Sequence, residues 1–157
     1  MEGSRYRRVH ASALEGFQHA RDDYWYRSLV FGKGLFTYLA YVPPGGFMPP
    51  HGHEEDACEL SFFMLEGELE ITLEGETFVV APGEAIHVDP GVSPGVRNSG
   101  IRTASFLLTF SPPPKIASLE ALRERYERPG DGVKSPEEME ALVRQSPVSR
   151  QTGRGRP

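Results

Sequence analysis

The chain has 157 residues, a formal net charge of −5, nine Phe, six Tyr and one Trp. That length suits one compact domain with a real core, and the acidic balance excludes the basic stripe of a nucleic-acid-binding surface. The single cysteine, Cys58, rules out an internal disulfide. No apolar stretch approaches the roughly 20 residues of a membrane span, so the expectation is a cytoplasmic protein with neither a signal peptide nor a membrane contact.

Residues 1–23 are polar and weakly patterned and read as an N-terminal extension. A strand is expected over Tyr24–Phe31, rich in aromatic and β-branched residues and closed by Gly32-Lys33-Gly34. A second covers Leu35–Val42 and stops at Pro43-Pro44-Gly45-Gly46, and a third takes in His51 and His53. The dense run Leu60–Leu65 follows. Glu68–Leu73 then alternates polar with apolar side chains, as a half-buried strand does. Thr77–Val80, Ala85–Val88, Val96–Asn98 and Ala104–Phe110 complete the series. Short strands about every 8–12 residues, punctuated by Gly and Pro, predict an all-β sandwich or barrel over residues 24–114.

After Ser111-Pro112-Pro113-Pro114 the period changes. Two short helices are expected within 115–146. One covers Ser118–Arg128. The other opens on Ser135-Pro136-Glu137-Glu138, with a cap, a proline at the first helical position and a carboxylate-rich first turn. Residues 147–157 are basic and Gly-rich, the composition of a disordered tail.

His51-Gly52-His53 carries the most chemical information. In a strand, residues i and i+2 share a face, so both imidazoles can reach one ion. Imidazole suits Fe, Mn, Ni, Zn and Cu in varying degree. On a regular strand Glu55 and Glu59 would share that face, and Asp56 lies nearby. Two imidazoles and one carboxylate leave coordination positions open for water or substrate. The competing reading is a pair of solvent-facing loop histidines beside acidic residues.

Gly45, His51-Gly52-His53, Glu59 and Phe63-Met64-Leu65-Glu66-Gly67-Glu68-Leu69 together resemble the first motif of the cupin superfamily. Gly83-Glu84-Ala85-Ile86-His87-Val88-Asp89-Pro90-Gly91 with Val92-Ser93-Pro94-Gly95-Val96-Arg97-Asn98 resembles the second, in degenerate form. The resemblance implies a double-stranded β-helix, a jelly-roll barrel of six to eight strands. It also implies one divalent transition-metal ion held by two His and one Glu of the first motif and one His of the second. His51 and His53 match that pattern. Glu59 is the expected carboxylate, but counting back from Gly67 places Leu60 at the ligand position. A bulge would reconcile the two, and Glu55 and Asp56 are substitutes. The second-motif histidine falls on Pro94, which has no ligating atom. His87 replaces it only if its strand turns that side chain inward. In the family pattern the Asn matching Asn98 is structural, whereas Arg97 is read as a surface residue or an anion contact.

The fold hosts many chemistries. A metal-dependent oxygenase or isomerase using His51, His53 and Glu59 is one expectation. A non-catalytic binding or structural barrel with a vestigial metal site is the alternative. A small-molecule ligand or substrate and a homodimer are the expected partners.

Overall fold

The computed structural model describes residues 5–18, 23–50, 58–113, 120–121 and 132–144. Eleven strands are seen: β1 (Gly16–Gln18), β2 (Trp25–Phe31), β3 (Phe36–Val42), β4 (Phe47–Met48), β5 (Glu59–Glu66), β6 (Leu69–Leu73), β7 (Glu76–Val80), β8 (Ala85–Val88), β9 (Gly95–Arg97), β10 (Ala104–Ser111) and β11 (Val133–Lys134). Seven form one sheet in the order β11-β1-β2-β3-β10-β5-β8, and four form a second in the order β4-β9-β6-β7. The recorded pairings are antiparallel.

The expected strands fall where the punctuation placed them, within two residues at either end. The all-β expectation and the jelly-roll layout are therefore what the chain adopts. Sequence reading passed over β1, β4 and β11, which are three, two and two residues long. Strands that short carry no readable period; partners hold them, with Phe17 of β1 facing Tyr26 of β2 on one side and Val133 of β11 on the other. The expected strand at His51 and His53 lies outside the described residues, as does most of the expected helix over Ser118–Arg128. The helix α1 (Pro136–Arg144) forms as read. The Ser135 hydroxyl accepts from the Glu138 amide at 3.1 Å, while the Glu138 carboxylate accepts from the Ser135 amide at 2.8 Å. This reciprocal box satisfies two amides that a helix start otherwise leaves bare.

Alternation decides what each strand buries. Along β5, Leu60, Phe62 and Met64 are buried while Glu59, Ser61 and Phe63 are exposed. The apolar run is thus a one-sided strand with Phe63 left outside. The inner side chains of both sheets meet in one core that includes Tyr24, Tyr38, Phe106, Leu69, Ile71 and Val96. A second, smaller cluster lies on the outer face of the large sheet, where Met139 of α1 packs with Trp25 and Tyr41.

Gly67 closes the turn after β5 with φ of 75°. A Cβ there would sit 2.9 Å from the Ala104 Cα, so both the left-handed backbone and the contact with β10 call for glycine.

Candidate functional site

The inner wall of β5 defines the candidate site. Leu60 is 2% exposed, packed between strand partners Val88 on β8 and Phe110 on β10. Pro94, just before β9, lines the same cavity as Leu60, together with Ile71, Ile86, Val96 and Phe106. Two of the four positions that the sequence motifs assign to metal ligands therefore converge on one interior space, and both carry hydrocarbon. Tyr24 also lines that space, and its hydroxyl is hydrogen-bonded to that of Tyr38. Burial pushes the Tyr38 hydroxyl well above the usual tyrosine range, with the neighbouring Tyr24 adding to the effect, so the Tyr38 hydroxyl stays neutral. The cavity measures about 20 Å³, and its half-buried lining residues Leu73, Ile86 and Pro94 mark where it approaches the surface.

Glu59 lies on the other face. Its carboxylate is 54% exposed and contacts the Nε2 of His87, which is 60% exposed. His87 pairs across the ladder with Ser61, so Glu59 is its diagonal neighbour on the outer face. The ambiguity over β8 is resolved: Ile86 and Val88 face inward, and His87 faces out. Asp89 stands 3.7 Å from the other ring nitrogen. The hydrogen bond to Glu59, above all, raises the His87 pKa from its ordinary value; desolvation opposes it, and the charges of Glu59 and Asp89 add smaller upward contributions.

A bulge does occur in β5, but at its far end. The pairing with β10 shifts between Ser105 and Phe106, which leaves Leu65 as the extra residue between Met64 and Glu66. It re-aims neither Glu59 nor Leu60. His51, His53, Glu55 and Asp56 lie outside the described residues. Among the described residues no three His, Cys, Asp or Glu side chains gather to hold a metal ion. Cys58 is half-buried and packs against the core.

The described part of the site does not fit the divalent ion that the fold family implies: the side chains of Leu60 and Pro94 offer no lone pair at the two interior positions.

The remaining second-motif residues are structural. Asn98 is buried; its side-chain amide donates to the carbonyls of Val42 and Arg102, both at 2.7 Å, and its oxygen accepts from the Gly100 amide at 2.9 Å. Arg97 is exposed, its guanidinium 5.7 Å from the centre of the Phe47 ring.

A buried charge that sequence reading missed lies beneath α1. Arg27 is 1% exposed; it meets Glu140 at 2.8 Å, the Tyr41 hydroxyl at 3.3 Å, and the carbonyls of Leu14 and Pro136 at 3.2 and 3.4 Å. Its only sequence signal is a charge in the middle of a strand-forming run.

Comparison with known proteins agrees with this architecture. Residues 38–110 match the model of the cupin domain. A polyketide cyclase, RemF from Streptomyces resistomycificus, is similar at 28% identity over 68% of this chain and 79% of its own, with a TM-score of 0.58. TT1209 from Thermus thermophilus is similar at 25% identity over 62% of this chain and 90% of its own, with a TM-score of 0.55. An RmlC-like cupin from Shewanella frigidimarina shares the fold at 19% identity, a TM-score of 0.61, and coverage of 70% of this chain and 94% of its own. No curated protein matches by sequence. The two motifs, the paired antiparallel sheets and the family match agree on a cupin domain at residues 38–110.

Proposed function

We propose that this cupin domain is a binding module for a small, largely apolar organic molecule taken up between the two sheets. One observation carries the reading: Leu60 and Pro94 make the interior around the motif positions a hydrocarbon surface. Such a surface rewards removal of apolar groups from water, and among its described lining residues Tyr24 alone carries a hydroxyl, which is bonded to that of Tyr38. The small cavity means that a ligand enters by displacing side chains at the rim, where Leu73 and Ile86 are half-buried. The similarity to a polyketide cyclase supports a carbon-rich ligand.

The test is methyl-resolved NMR with 1-naphthol as probe. Methyls of Leu60, Ile71, Ile86 and Val96 should shift together, while those of Leu142 on α1 should not. Shifts confined to the outer cluster, or none at all, would reject the reading.

A second reading places one divalent transition-metal ion on His51, His53 and Glu59, at the start of β5. It is favoured by the Glu59 carboxylate, which already engages an imidazole there. Purified protein holding about one metal per chain, lost in His51→Ala, His53→Ala and Glu59→Ala, would establish that reading over the first. For assembly we propose a homodimer, supported by the open sheet edges β7 and β8, with Phe78 and Val79 exposed on β7. A monomeric mass by light scattering would contradict it.

A further inference from the structure

We infer that the interior of this barrel does not hold a metal ion, because Leu60 in β5 and Pro94 before β9 stand at two places where the motif pattern puts ligating groups. Both residues line one cavity. Leu60 sits in an unbroken inward series with Phe62 and Met64, so the strand register is intact and only the side chain differs. Glu59 does not take over the inward place, because the one-residue offset puts it on the opposite face with His87. His87 does not replace Pro94, because Ile86 and Val88 hold the inward places of β8. An ion in this space would meet hydrocarbon on two sides, which is costly. This inference rests on the cupin assignment and not on the apolar ligand: metal affinity tests it, probe binding tests the other, and either can fail alone.

The experiment restores the two groups. Native protein and the double variant Leu60→Glu/Pro94→His are titrated with Ni(II) and with Zn(II), following bound metal per chain and the rise in Tm that selective binding to the folded state produces. The double variant should bind metal more tightly than the native chain by about tenfold or more, since each ligating group tunes affinity on at least that scale. It should also lose the 1-naphthol shifts. If the buried carboxylate prevents folding, Pro94→His alone carries the test at its half-buried place, with the same direction expected. Equal affinity in the native chain and in the folded variants would overturn the inference. So would a native metal content that falls in Leu60→Ala.

Discussion

The two faces of the large sheet treat polar groups in opposite ways. Beneath α1, on the outer face, Arg27 is almost wholly buried yet has a carboxylate, a hydroxyl and two carbonyls around it. On the inner side, Leu60 of the large sheet and Pro94, just before β9 of the small sheet, occupy places where ligating groups were expected, and hydrocarbon surrounds them. A buried charge persists only where partners compensate its lost water. The chain supplies those partners outside, from the N-terminal segment and the C-terminal helix, and does not supply them inside. The outer face is therefore a structural clamp, and the inner face is suited to apolar contact.

The strongest way to break this comparison is to remove the clamp. Arg27→Ala should cost about 3–5 kcal/mol of stability in urea unfolding, because Glu140 and two carbonyls lose their cation. Replacing both partners, Arg27→Met with Glu140→Leu, should recover most of that loss. A single-variant loss below about 1 kcal/mol would mean that Arg27 behaves as an exposed ion, and the contrast between the faces would fall.

Leu60→Ala probes the inner face. Removing this side chain should cost about 2–5 kcal/mol and enlarge the cavity, so 1-naphthol should bind more tightly than to the native chain. A loss of stability without tighter binding would show that the interior collapses and would weaken the ligand reading.

The smallest effect is on the rim. His87 should titrate above the ordinary histidine value of about 6.5 by NMR, and Glu59→Gln should bring it back down. Because the folded pKa is raised, the pair stabilises the fold at pH below the unfolded value and loses that contribution as pH rises through the folded value. Both groups are exposed, so the shift in pKa is the readout rather than the melting temperature. An unchanged His87 pKa in Glu59→Gln would show that the contact does not persist in solution.

Much of this was legible in the residues. Gly and Pro punctuation placed β2, β3, β5 to β8 and β10, and the Ser135 to Glu138 box placed α1. The expected carboxylate was Glu59, although counting back from Gly67 put Leu60 at the ligand place; β5 shows Leu60 buried and Glu59 exposed. The side taken by His87 was not legible, because Ala85–Val88 is four residues long and reads equally well with either parity. The partners of Arg27 were not legible either, since Pro136 stands 109 positions away along the chain.

The sequence by itself determined the class of fold, the strand boundaries and the absence of a ligating atom at Pro94, because these follow from local periodicity and residue chemistry. Only the tertiary structure decided that Leu60 and Pro94 share one interior space, that Glu59 turns outward to His87, and that Arg27 is sealed by α1. Facing, convergence and burial depend on which strands become neighbours, and that is a property of the folded chain rather than of any local stretch.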